Sequence, residues 1–159
     1  MKYVFLLILS CCIIAFSRII LYKYKNRVKD GEQFLSFLSF AYSEVSYSSI
    51  TVAQIVKKFN KLNADSPDFL SGCKEPVYKD VEVKLKNNKD LTQKQKELII
   101  SFFVSFGTSG EEEQLKHIKN HKELFSAEQA RLSEEYKEKS KLVTKLSVLL
   151  AAAVFVILI

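Results

Sequence analysis

Two apolar segments bracket this chain, and nearly all of its charge lies between them. From Tyr3 to Ser17 every residue is apolar or small, and beyond Arg18 the run resumes with Ile19, Ile20, Leu21 and Tyr22. A helix of about 20 such residues, rising about 1.5 Å each, matches a hydrocarbon layer about 30 Å thick. At the other end, Leu146 to Ile159 is an apolar run of 14 residues that becomes 18 when extended back to Leu142. Lys145 then falls near the boundary, where its stem can lie along acyl chains and its ammonium can reach the headgroups. A buried helix of a small domain would need a polar face, and this one is apolar all round. The pattern predicts transmembrane helices over 3–22 and 142–159.

Three readings of the first segment compete: a retained helix, a cleaved signal peptide and a lipoprotein signal. A lipidated Cys11 or Cys12 should lead into polar chain, but Cys12 runs into Ile13, Ile14, Ala15 and Phe16. Cleavage stays open, because Ala15 and Ser17 are small residues flanking Phe16. Retention is favoured.

The basic residues orient both segments alike. Arg18, Lys23, Lys25, Arg27 and Lys29 follow the first against Lys2 before it, and Lys137, Lys139, Lys141 and Lys145 precede the second. Positive flanks stay cytoplasmic, which predicts a cytoplasmic middle and both termini on the far side. Cys73 would then sit in a reducing compartment, which speaks against a disulfide framework. The net charge is +6, yet all 18 acidic residues and all basic ones except Lys2 and Arg18 lie between Lys23 and Lys145, leaving that stretch +4. So modest an excess calls for no nucleic acid, and attraction to anionic lipid accounts for it.

With four glycines and two prolines in 159 residues, the chain lacks the turn residues of a β-sandwich and reads as all-α. Phe34, Leu35, Phe37, Leu38, Phe40, Ala41, Val45 and Tyr47 fall largely at spacings of three and four from Gly31 to Tyr47, a broad helical face that also carries Glu44. Ser46 to Ser49 breaks it, and Thr51 can cap a second, antiparallel helix burying Val52, Ile55, Val56 and Phe59. Between Leu62 and Asn88 periodicity is poor, although Ser66-Pro67 can open a short helix. Thr92 and Gln95 have capping-box spacing ahead of an apolar helix that Gly107 can end as a C-terminal cap. Ser109 with Glu112 repeats that spacing, and Glu111, Glu112 and Glu113 suit the positive end of a helix dipole. From about 111 nothing interrupts a long helix of about 35 residues, roughly 50 Å, running into the second apolar segment. Its apolar stripe weakens between Phe125 and Val143, which predicts a solvated or partner-held half. The architecture expected is a small antiparallel helical bundle over 27–141, flanked by the two membrane helices.

Chemistry is sparse in this pattern. Glu113, His117 and His121 follow one another at spacings of four on one helix face, as a zinc site requires. The His-Glu-x-x-His order is missing and Lys116 and Lys119 disfavour a cation, so a polar helix face is the better reading. No serine sits in a Gly-x-Ser-x-Gly turn, and glycines at 31, 72, 107 and 110 form no phosphate loop. No catalytic residue, metal, cofactor or small-molecule substrate is expected.

Phe106-Gly107-Thr108-Ser109, followed by Glu112, Gln114, Leu115, Lys116, His117 and Ile118, resembles the signature of the stage III sporulation protein AB family. That family shows a hydrophobic residue and glycine, a polar turn, then Gln-x-x-His-Ile opening a long charged helix that ends in a membrane segment. Glu44 and Tyr47 match its Glu-x-x-Tyr on the first cytoplasmic helix. The chain departs from the family in having Gly110 where an acid is usual, Ser48 to Val52 in place of Gly-x-x-Pro-Leu, and Ala151 to Ala153 in place of membrane glycines. The resemblance implies a non-enzymatic scaffold of the channel between mother cell and forespore, placed in the mother-cell membrane around the forespore. Its implied partners are a secretion-type cytoplasmic ATPase and other sporulation channel proteins. The alternative is an inner-membrane platform protein of a general type II secretion or type IV pilus system, which usually repeats its helical domain, and no second copy is found here. Gly107, Gln114, His117 and Ile118 are expected to fix the turn and the packing of the long helix, or Gln114 and His117 to touch a partner. Glu44 and Tyr47 are read alike, with the acid expected to find a lysine or histidine of the long helix.

Overall fold

Helix-end chemistry divides the described residues into five α-helices and one short turn. The computed structural model describes residues 2–48, 50–63 and 66–158, of which 2–10, 13, 14, 154, 155, 157 and 158 enter as backbone alone. The helices are α1 (Lys2–Tyr47), α2 (Val52–Leu62), α3 (Val77–Asn87), α4 (Gln93–Ser105) and α5 (Glu111–Leu158), with a 3₁₀ turn at Asp68–Leu70. The all-α expectation holds among the described residues. The first apolar segment and first bundle helix form one helix of 46 residues, and the long helix with the second apolar segment one of 48.

The cap expected at Thr51 and the capping box expected at Thr92 are both made, and Thr51 proves to be a full capping box. Thr51 Oγ1 accepts from Gln54 N at 3.4 Å while Gln54 Oε1 accepts from Thr51 N at 2.9 Å, and Thr92 and Gln95 do the same at 3.1 and 3.0 Å. The box expected at Ser109 and Glu112 is not. Gln114 N donates to Gly110 O at 2.9 Å, so Gly110 takes the cap position and α5 opens at Glu111. Pro67 likewise stands ahead of its 3₁₀ turn as cap, outside the first helical position.

The contacts resolve into two units, residues 29–130 and residues 1–28 with 131–159. In the first, phenylalanine rings build the centre: Phe34 meets Phe125 at 4.8 Å and Phe102 at 5.9 Å, and Phe37 meets Phe59 at 5.3 Å, each edge-on. Edge-to-face contact satisfies the ring quadrupoles beyond simple burial. Helix α3, which the sequence reading left unassigned, buries Val77, Val81 and Leu85, one face at a spacing of four. The expectation of a solvated or partner-held stretch between Phe125 and Val143 is corrected as far as Leu132: 133–143 are exposed or half-buried, but Glu128, Gln129 and Leu132 are buried. Their polarity is met locally: Glu128 pairs with Lys94 at 2.9 Å, and Gln95 Nε2 donates to Gln129 Oε1 at 3.3 Å.

In the second unit α1 and α5 lie side by side, because Lys139 Nζ donates to Tyr24 Oη at 3.0 Å and stands 4.4 Å from its ring centre. The half-buried positions trace a seam, Ser17, Leu21, Tyr24 and Val28 on α1 and Tyr136, Ser140 and Val143 on α5, continued by buried Ser147 and half-buried Ala151. Those spacings of three and four are the period of two helices packed lengthwise. Small and polar residues are frequent in the seam, while Phe16, Ile19, Tyr22, Leu146, Leu149 and Val156 are exposed. Among the described residues no helix is long and apolar enough to cross a membrane. The spans expected at 3–22 and 142–159 lie partly outside the described side chains, at 3–10, 13, 14, 154, 155 and 157–159.

Candidate functional site

The turn between α4 and α5 is made by the residues the sequence singled out. Phe106 N donates to Phe102 O at 2.9 Å to finish α4, and Gly107 follows at φ +87°. A side chain there would be strained, and its Cβ would also stand 2.5 Å from Val52 Cγ2. Gly107 therefore lets the turn lie against α2. Thr108 Oγ1 donates to Ser105 O at 2.9 Å, and Gln114 Nε2 donates back to Ser109 O at 2.6 Å, tying α5 to the turn it leaves.

One turn further on, His117 docks α5 onto α4. Its ring stacks on Phe102 with centres 5.3 Å apart and planes 13° apart, and Nε2 lies 3.2 Å from both Phe102 O and Ser105 Oγ. A carbonyl only accepts, so Nε2 carries the proton. That nitrogen is therefore no base for Ser105. Ile118 beside it is fully buried. His121 completes the seam, with its ring 4.2 Å from that of His117, Nδ1 3.2 Å from His117 O and Nε2 3.4 Å from Ser101 Oγ. Burial, and then the neighbouring His117, hold the His121 pKa below the ordinary imidazole value. His117 Nε2 and both nitrogens of His121 are thus turned to helix carbonyls and serine hydroxyls, Glu113 stays exposed, and among the described residues no histidine, cysteine and carboxylate group could hold a metal.

Glu44 and Tyr47 part company. Both Glu44 oxygens accept from Lys58 Nζ, at 2.7 and 2.8 Å, and Ser48 Oγ donates to its backbone carbonyl at 2.9 Å. The partner expected on the long helix is instead a lysine of α2, because the end of α1 turns straight into α2 and brings the two within reach. Tyr47 is 88 % exposed and takes no part in packing.

Gly107 and Gln114 also line an open groove of about 760 Å³ between α2, α3, α4 and the start of α5, with Val52, Val77, Phe103 and Val104 as its apolar floor and wall. Glu75 stands on its lining, and a shallower depression beside it is lined by Glu111, Glu112, Glu113 and Lys116. Among the described residues no nucleophile, base and acid converge there. The sequence reading missed this groove because α3, which supplies one wall, was unassigned.

The family model for stage III sporulation protein AB matches residues 2–159. The chain belongs to that family. The match takes in Glu44, Tyr47, Gly107, Gln114, His117 and Ile118, and it gives the protein a sporulation-related role. No curated protein and no solved structure matches the chain. Within this family member, the motif from Gly107 to Ile118 is the device that turns α4 into α5 and seats the long helix.

Proposed function

We propose that the protein is a non-enzymatic membrane scaffold of the channel between mother cell and forespore, anchored through the ends of α1 and α5, with the 29–130 unit offered to a cytoplasmic ATPase. The observation that carries the membrane half is the inverted surface of the helix pair. Serine and alanine share its seam with leucine, valine and tyrosine, while large phenylalanine, isoleucine, leucine and valine side chains face outward. Water disfavours such a surface and acyl chains favour it, because small residues allow close helix approach in lipid and lipid solvates the large ones. Family membership supports the channel role. The groove beside Gly107 and Gln114 is the surface this reading assigns to the ATPase.

Cysteine accessibility tests the arrangement. Native Cys73 is a poor reporter, since it is half-buried, its Sγ donates to Phe69 O at 3.3 Å, and burial pushes its thiol pKa up. In a chain with all three cysteines replaced, a cysteine at exposed Lys61 and another appended after Ile159 are to be labelled in whole cells with an impermeant maleimide. Labelling of the appended cysteine alone is expected. Labelling at position 61 overturns the cytoplasmic placement and the ATPase partnership together.

A further inference from the structure

The inference drawn here rests on the membrane reading and concerns which lipid the anchor meets. In the helix pair the register is antiparallel: Lys139 Nζ donates to Tyr24 Oη at 3.0 Å, and Glu135, four residues earlier on α5, has its pKa lowered first by its hydrogen bond from Lys139 and least by Arg27, three residues later on α1. Six residues from Tyr24 toward the start of α1 is Arg18, and six residues from Lys139 toward the end of α5 is Lys145. Each step covers about 9 Å along its helix. Arg18 and Lys145 therefore come to one level. Beyond that level neither apolar segment carries a charge, from Ser17 back to Tyr3 and from Leu146 on to Ile159, so the two charge-free stretches begin together.

On the other side of that level the charge is one-sided. Within 18–28 and 131–145, nine lysine and arginine residues stand against Glu134, Glu135 and Glu138. Glu135 is engaged by Lys139 at 2.6 Å and Arg131 at 3.6 Å. Among the described residues no ion pair engages Arg18, Lys23, Lys25, Lys137, Lys141 or Lys145, and all six are exposed. Tyr22, 65 % exposed, adds an aromatic ring of the kind that settles at headgroup depth.

We infer that this collar binds the headgroups of anionic phospholipids, with Arg18 and Lys145 gripping phosphate from the two helices at the edge of the apolar surface. An arginine offers a planar fork to phosphate oxygens and a lysine a mobile point charge. Cations near an anionic surface each add attraction that decays within a Debye length, so the preference is salt-dependent. An acidic protein segment would meet the same charges, but it would not need the charge-free stretches to start level with them.

The test uses the full chain reconstituted in phosphatidylcholine bilayers containing a trace of spin-labelled phosphatidylglycerol or phosphatidylcholine with the same acyl chain. Both labels are expected to show a motionally restricted component, with phosphatidylglycerol favoured several-fold at low salt and the preference falling as sodium chloride is raised. The Arg18→Gln/Lys145→Gln double variant is expected to lose at least half of that preference at unchanged helicity, whereas Lys86→Gln/Lys89→Gln in the other unit leaves it intact. Equal association of the two lipids, an unchanged preference in the collar variant, or an equal loss in the control variant overturns the inference while leaving the membrane reading standing. Removal of the preference by inorganic phosphate at an ionic strength where chloride does not remove it overturns it in favour of free phosphate. Absence of any restricted component overturns the membrane reading itself.

Discussion

Gln129 fills the space a side chain at position 31 would need: a Cβ on Gly31 would stand 1.9 Å from Gln129 Oε1 and 2.6 Å from its Cδ. Glycine in a helix interior ordinarily costs about 1 kcal/mol relative to alanine, so Gly31→Ala would be stabilising on propensity alone. Here the sign reverses. Gln129 is buried and accepts from Gln95, itself fully buried, so moving it breaks a polar contact that has no water to replace it. A net loss of about 1–2 kcal/mol is expected from the overpacking. Thermal unfolding of the full chain in detergent, followed by far-UV circular dichroism, measures it, and Gly31→Ala combined with Gln129→Ala should lose less than the two single losses added.

Gly107→Ala combines two costs. The left-handed conformation at φ +87° opposes any L side chain by about 1–2 kcal/mol, and the new methyl meets Val52 Cγ2 at 2.5 Å. Adding Val52→Ala removes the second cost and leaves the first. The single variant should unfold at lower temperature than wild type, with its groove disturbed; full recovery in the double variant would show that the backbone strain argument is wrong.

How far the residues announced the fold depends on whether their signal was local. Thr51 and Thr92, each three residues ahead of a glutamine, marked helix starts correctly because a capping box is completed within one turn. Gly107 marked an end for the same reason. Position 110 misled because glycine also serves as a cap: with Gly110 accepting from Gln114, the cap lies one residue beyond Ser109 and the helix opens at Glu111. Burial of Glu128 and Gln129 was illegible, since it depends on Lys94, Gln95 and the bare backbone at Gly31, all distant in sequence. Val77, Val81 and Leu85 did carry a helical period, masked by lysines between them and by the prolines before them.

Glu44 and Lys58 join α1 to α2 through two hydrogen bonds, but the lysine side chain is 52 % exposed and the glutamate 12 %. Solvent screening limits such a pair, and a double-mutant cycle with Glu44→Gln and Lys58→Met is expected to give a coupling of about 0.5–1 kcal/mol that shrinks in high salt. The cycle is to be read from thermal unfolding at low and high sodium chloride. A coupling insensitive to salt would mean that the residues interact through packing rather than charge.

His121 sets an expected acid dependence. Its folded pKa is lowered by burial first and by His117 second, whereas an unfolded imidazole titrates near about 6.5. Between those two values the unfolded chain binds a proton that the folded chain refuses, so stability rises with pH across that window. The contribution is fully present above about 6.5, falls as pH drops through that value, and levels off below the folded pKa. The groups facing the ring are His117 on its own helix and Ser101 on α4, and neither supplies a compensating negative charge. His121→Gln cannot titrate and keeps a side chain able to reach Ser101. Its melting temperature, followed from pH 8 down to pH 5, should therefore decline less steeply than that of wild type. Parallel curves for the two proteins would assign the acid limb to other groups and show that burial at position 121 does not control its protonation.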